Sequence, residues 1–138
     1  RSHVEGAAAA IAAGASWVDA ADAARLAADA DVVVDAILGT GTSSAPALRG
    51  AAREVVAAIV PVLGRSRRPY VVAVDLPSGI SPDDGSVPDE TVLPADLTVT
   101  FGAVKAGLLQ EPGSRYVGRI VLVDLGLGPY LGEPVIAG

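Results

Sequence analysis

The sequence predicts an α/β protein with a mostly parallel sheet, and three observations carry that reading. Two apolar runs end alike. Asp31-Val32-Val33-Val34-Asp35 leads into Ala36-Ile37-Leu38-Gly39-Thr40-Gly41, and Val71-Val72-Ala73-Val74-Asp75 leads into Leu76-Pro77-Ser78-Gly79. Continuous valine-rich runs bounded by turn residues mark parallel strands buried on both faces. Between the two runs, Ala52, Val55, Val56, Ile59 and Leu63 recur at helical spacing. A strand, a helix and a second parallel strand make a right-handed crossover unit. Two further runs, Leu97–Phe101 and Arg119–Asp124, supply a third and a fourth strand.

Each element has a local reason. Ser2-His3-Val4-Glu5 matches a capping box, so a helix is expected from Ser2 as N-cap through the alanine-rich stretch to Ala13, with Gly14 ending it. Ser16-Trp17-Val18-Asp19 reads as a short, weak strand, and Trp17 as a packing residue. Ala20 to Ala28 consists of strong helix formers, and the strand Asp31–Leu38 follows. Pro46 stands near the start of the next helix, where its missing N–H costs nothing, and Pro61 should kink or fray that helix's last turn. Pro69–Asp75 is the second main strand. Ile80–Pro94 is rich in Ser, Pro, Asp and Gly. A loop of that length is expected to be functional or disordered. A doubly wound sheet usually has five or more strands. Four good ones and a weak fifth therefore read as the later part of a larger α/β domain, residues 1–126, followed by a Gly- and Pro-containing tail or linker, 127–138.

Composition excludes several functions. The chain has 138 residues, 51% of them apolar and only 4% aromatic, so small side chains must fill the core. No apolar stretch reaches the roughly 18 residues of a membrane span. No basic n-region followed by an apolar h-region occurs in this sequence, so no secretory signal is expected in it. With no cysteine there are no disulfides or thiolate metal sites, which fits a cytoplasmic protein. The formal net charge is −6, against nucleic-acid binding, which leaves a basic footprint. The one basic cluster, Arg65, Arg67 and Arg68, reads as a solvated helix end.

Parallel strands bring their C-terminal ends to one edge, and open α/β sheets bind ligands outside that edge. Asp35, Asp75 and their turns are therefore expected to line one crevice. Position alone leaves Asp35 open between capping its own turn and serving as an oxygen ligand for a cation. The turn Gly39-Thr40-Gly41-Thr42-Ser43-Ser44 offers backbone amides and hydroxyls to an anion. It matches neither the dinucleotide fingerprint nor the P-loop. In Asp75-Leu76-Pro77-Ser78-Gly79 the proline makes the turn rigid, which suits an acid/base group held beside a ligand. Lys105 follows the third strand at the same edge, where it could neutralise a phosphate, assist proton transfer or lie on the surface. His3, the only histidine, reads as a surface residue, and no Ser-His-Asp set can be assembled.

These strings together, with Leu48-Arg49-Gly50, Asp84-Gly85 and Ala95-Asp96-Leu97-Thr98-Val99-Thr100-Phe101-Gly102 before Lys105, resemble the YjeF N-terminal domain family of NAD(P)H-hydrate epimerases. The resemblance covers roughly residues 31–126. It implies a Rossmann-like three-layer α/β/α sandwich. It implies interconversion of the R and S forms of hydrated NADH and NADPH, whose S form a separate or fused nucleotide-dependent dehydratase then repairs. It further implies that Asp35 and Ser78 are potassium ligands, that Gly39, Thr40, Gly41, Thr42, Ser43, Ser44 and Ala45 bind substrate, and that Asp75 contacts substrate as the acid/base; Lys105, in the matching string, is the second catalytic candidate. A homo-oligomer is expected. The family's Gly/Asn-rich loop has no counterpart in residues 1–30, so this chain is expected to begin after it. The competing reading is a non-catalytic nucleotide-binding or interaction module of the same fold. An ordinary NAD-dependent dehydrogenase is disfavoured by the missing G-x-G-x-x-G.

Overall fold

A computed structural model describes residues 3–42 and 45–134. Four strands, β1 (Val32–Asp35), β2 (Tyr70–Val74), β3 (Leu97–Phe101) and β4 (Arg119–Val123), form one parallel sheet in the order β1-β2-β3-β4. The helices are α1 (Val4–Ala12), α2 (Ala23–Asp29) and α3 (Gly50–Ile59). The α/β class and the parallel sheet are as the sequence predicts, and the arrangement fits a Rossmann-like sandwich.

The sheet's two faces differ. Val71 and Ala73 of β2 point to one face and pack with Ala23 and Ala27 of α2, with Val56 and Ile59 of α3, and with Val62 beyond it. At about 25 cal/mol per Å² of apolar area, this is the main driving force holding both helices to the sheet. The alternate residues point the other way, and Val32, Val34, Tyr70, Phe101, Val121 and Val123 are all exposed there. A parallel sheet with apolar residues on both faces is built to be covered twice. Among the described residues only one face carries helices packed in this core.

Several boundaries depart from expectation, each for a physical reason. The α1 N-cap is His3, whose Nδ1 accepts from the Gly6 N–H at 3.0 Å; Ser2 lies outside the described residues. Gly14, at φ 102, follows α1 as expected, and the Ala15 N–H reaches back to the Ala10 carbonyl. Residues 16–19 are not a strand, and Trp17 is 76% exposed rather than packed. No neighbouring strand pairs with that segment, so β-propensity alone does not hold it in the sheet. β1 stops at Asp35, short of Leu38, because the Ile37 and Leu38 N–H groups donate to side chains, Asp35 and Ser78, instead of to a strand. α3 starts at Gly50, later than Pro46 suggests, and gives way to a 3-10 turn, Val60–Gly64, around Pro61. Arg68 is more than a solvated helix end. It pairs with both oxygens of Asp96 at 2.7 Å, while the Val71 N–H donates to the same carboxylate at 2.8 Å, tying β2 to the start of β3.

The long loop is ordered. Ile80, Ser81, Val92 and Leu93 are buried. The Gly107 N–H donates to the Pro82 carbonyl and the Gly113 N–H to the Gly85 carbonyl, both at 2.8 Å. A side chain at Gly107 would run into the Ser81 carbonyl, so glycine is required for this close approach. The loop thus clamps the segment that follows Lys105.

Candidate active site

Strand order decides what each strand-end carboxylate meets. β1 lies beside β2, so the turn after β2 reaches Asp35. The Ser78 N–H donates to Asp35 Oδ2 at 2.8 Å and the Ser78 hydroxyl to Oδ1 at 2.6 Å. Ser78 Oγ in turn accepts from the Leu38 N–H at 3.0 Å. Asp35 is only 4% exposed and Ser78 is wholly buried. A buried charge must be hydrogen-bonded, paired or metal-bound. Here the hydrogen bonds are present, and Asp35 forms no ion pair among the described residues.

The potassium ion that the resemblance implies would have this pair among its ligands. A hard cation takes oxygen ligands, and Asp35 and Ser78 present an anionic carboxylate and a hydroxyl, buried and 2.6 Å apart. The donor chemistry fits. Two side chains are a partial set, and no group of three or more His, Cys, Asp or Glu able to hold a metal occurs among the described residues.

β2 lies between β1 and β3, so Asp75 meets both neighbours. Its φ is 72, the one positive value at a described residue other than glycine. Asp is among the few types that tolerate this left-handed conformation. The strand ends there. Asp75 Oδ1 accepts from Lys105 Nζ at 2.5 Å and from the Thr100 hydroxyl at 3.2 Å, on the β3 side. Oδ2 accepts from the Thr40 N–H at 3.3 Å, on the β1 side. Lys105 Nζ also donates to Thr100 Oγ1 at 3.0 Å and to the Phe101 carbonyl at 2.9 Å. Both charged side chains are 17% exposed, so the pair sits at the floor of an open edge. Burial pushes the Asp75 carboxyl up. The hydrogen bond and charge of Lys105, the Thr40 N–H and the Thr100 hydroxyl outweigh it and hold the group below the usual carboxylate range. Asp75 is therefore ionised at neutral pH, ready to accept a proton.

The structure brings Asp35, Ser78, Asp75, Lys105 and the turn from Gly39 to one edge of the sheet. Thr40–Thr42 form a short 3-10 turn, with Thr40 and Gly41 exposed. A Cβ at Gly39 would stand 3.5 Å from Asp75 Oδ2, so that turn passes directly over the carboxylate. Ala45 is exposed beside a concavity of about 300 Å³ lined by Leu38, Ala45, Leu48 and Ala52. Ser43 and Ser44 lie outside the described residues. Thr100 is the member that sequence reading missed. Its signal was its register. In Leu97-Thr98-Val99-Thr100-Phe101 both threonines fall on the face that β2 fills with Val71 and Ala73, where an unpartnered hydroxyl would be costly.

Comparison with known proteins bears on the chain as a whole. The family model for the YjeF-related protein N-terminus matches residues 3–107. An NAD(P)H-hydrate epimerase of Clavibacter michiganensis subsp. michiganensis is 54% identical over 132 residues, covering 92% of this chain and 57% of that protein. One from Microbacterium testaceum is 51% identical over 131 residues, covering 95% of this chain and 50% of that protein. A bifunctional NAD(P)H-hydrate repair enzyme of Pyrobaculum aerophilum is 46% identical over 100 residues, which are 72% of this chain and 18% of that protein. The chain spans about half the length of the curated epimerases it matches.

Proposed function

We propose a function from one premise: the chain belongs to the family of YjeF-related protein N-termini. The function is epimerisation of hydrated NADH and NADPH, the interconversion of their R and S forms at the carbon that carries the added water. The observation that supports it most is Asp75, ionised, paired with Lys105 at 2.5 Å and reaching the Thr40 N–H with its other oxygen.

The chemistry follows from the substrate. The hydrated carbon bears a hydroxyl and the ring nitrogen, so its configuration is lost if the ring opens to an aldehyde or if hydroxide departs. At neutral pH Asp75 is ionised, so it has no proton to give and stands in the form that can take one, which suits the ring-opening route, although the lowered pKa makes it a weaker base than an ordinary carboxylate. Asp75 takes the hydroxyl proton, the carbon–nitrogen bond breaks, and its electron pair stays on nitrogen, which takes up a proton from solvent and gives it back on closure. Closure on the other face of the aldehyde reverses each step and returns the proton from Asp75. Lys105 holds the carboxylate and offsets its charge. The Gly39–Ala45 segment binds the substrate beside it, its backbone amides suiting an anionic portion. Asp35 and Ser78 would hold a potassium ion, whose charge would balance the buried carboxylate and fix the two turns relative to each other. The S epimer would pass to a dehydratase, fused or separate, in keeping with the bifunctional repair enzymes among the relatives.

Asp75→Asn tests the assignment. Loss of a positioned acid/base group costs roughly 10²–10⁴-fold in rate, so kcat for R-to-S conversion, followed by chromatography, should fall by that much while substrate still binds. Wild-type turnover in the variant would remove Asp75 from the chemistry. Substrate binding without any turnover by the wild-type chain would point instead to a non-catalytic binding module.

A further inference from the structure

We propose that Thr100 is a positioning residue for the epimerisation, its hydroxyl fixing Lys105 and Asp75 so that one carboxylate oxygen stays turned toward the Gly39–Thr42 turn. The inference rests on the assignment of Asp75 as the proton acceptor. Thr100 lies in β3 and is wholly buried. Its Oγ1 accepts from Lys105 Nζ at 3.0 Å and donates to Asp75 Oδ1 at 3.2 Å, and Nζ bonds the same Oδ1 at 2.5 Å. Three polar atoms thus close a triangle with a single carboxylate oxygen at one corner. Oδ2 is left to the Thr40 N–H.

A lysine ammonium is a compact charge on a flexible four-carbon stem, so an ion pair alone does not set its direction. Here each of its three donors has a designated acceptor: Asp75 Oδ1, Thr100 Oγ1 and the Phe101 carbonyl. Two of these belong to β3, so the strand, and not the ion pair, sets where the ammonium points. Thr98 is the internal control. It is the same residue type, two positions earlier on the same face, and equally buried, yet its hydroxyl donates to the Val117 carbonyl at 2.7 Å and meets no charged group.

Thr100→Val keeps the side chain's shape and removes the hydroxyl, and Thr100→Ser keeps the hydroxyl and removes the methyl. A hydrogen bond to a charged group corresponds to about a tenfold effect or more. Thr100→Val should therefore lower kcat about tenfold with KM unchanged, while Thr100→Ser stays near wild type. The reverse order, with Val active and Ser impaired, would make Thr100 a packing residue and overturn the proposal. Acylation of Lys105 by an amine-directed reagent, mapped by mass spectrometry on the full chain, reads the same geometry without turnover. Labelling should quicken several-fold in Thr100→Val and not in Thr100→Ser, and equal rates in both would also overturn the proposal. Absence of epimerisation in the wild-type chain would count against the Asp75 assignment alone, with the labelling comparison still deciding what Thr100 does.

Discussion

Asp35 and Asp75 end adjacent parallel strands, each after a run of valines, and the fold treats them in opposite ways. Asp35 is 4% exposed, and both of its oxygens take hydrogen bonds from Ser78. Asp75 stands at φ 72 at the floor of an open edge, with one oxygen on Lys105 and Thr100 and the other on the Thr40 N–H. The difference comes from strand order. In a sheet ordered β1-β2-β3, each strand-end acid is answered by the next strand along. β2 brings Asp35 a serine hydroxyl and an amide. β3 brings Asp75 an ammonium and a threonine. Position at a strand end sets the location of a carboxylate, and the neighbouring strand sets its chemistry.

The sharpest way to break this contrast is to compare the two acids in stability. Asp35→Ala strands the Ser78 N–H and hydroxyl in a buried site, at about 1–3 kcal/mol for each orphaned donor. The unfolding free energy from urea titration should therefore fall by about 2–6 kcal/mol. Asp75→Asn keeps an αL-tolerant residue of the same shape, and the ammonium it leaves keeps Thr100 Oγ1 and the Phe101 carbonyl as acceptors. Its loss should stay near 1 kcal/mol. Equal losses from the two substitutions would end the proposed division into a structural and a reacting carboxylate.

Much of this was legible in the sequence because it rests on local signals. Valine runs ending in Asp and a small-residue turn located two strands and the shared edge, and two further apolar runs located the other two strands. Pro61 marked where α3 tightens. What the sequence hid depends on partners far along the chain. Ser78 lies 43 residues from Asp35, and Lys105 lies 30 from Asp75. β1 is shorter than its apolar run because side chains capture the next two amides. Trp17 looks like core by type, yet no strand pairs with its segment and it stays exposed. Ile80–Pro94 reads as loose from its Ser, Pro and Gly content, while packing against Gly107 and Gly113 orders it. Thr100 was masked by the ordinary preference of threonine for strands.

A smaller effect is the pH dependence carried by Asp75. Burial pushes the Asp75 carboxyl up, and Lys105, Thr40 and Thr100 together pull it below the usual range. Turnover that needs ionised Asp75 should persist as pH falls through the ordinary carboxylate range and decline only beneath it. The stability linked to this group has the same sign. It is present above the unfolded-state pKa and lost as pH falls through the lower folded-state one. Lys105→Met removes the hydrogen bond and charge that pull the group down and leaves burial in place, so the acid limb of the kcat profile should move to higher pH. An unmoved limb would show that the ammonium does not set the ionisation of Asp75.

The smallest effect is the one that tests the cation. A ligand that binds only the folded state at ten times its Kd stabilises by about 1.4 kcal/mol, which raises the melting temperature of a domain this size by a few degrees. Melting in potassium chloride should exceed melting in choline chloride at equal ionic strength by that margin. Asp35→Asn weakens the anionic ligand and Ser78→Ala removes the hydroxyl, so neither should respond. Asp75→Asn should keep the whole response, because its carboxylate is held by β3 and not by Ser78. A wild-type chain that melts alike in both salts would remove potassium from the Asp35 turn. A response lost in Asp75→Asn and kept in Asp35→Asn would move it to Asp75, leaving the Asp35–Ser78 pair as a hydrogen-bonded brace between two turns.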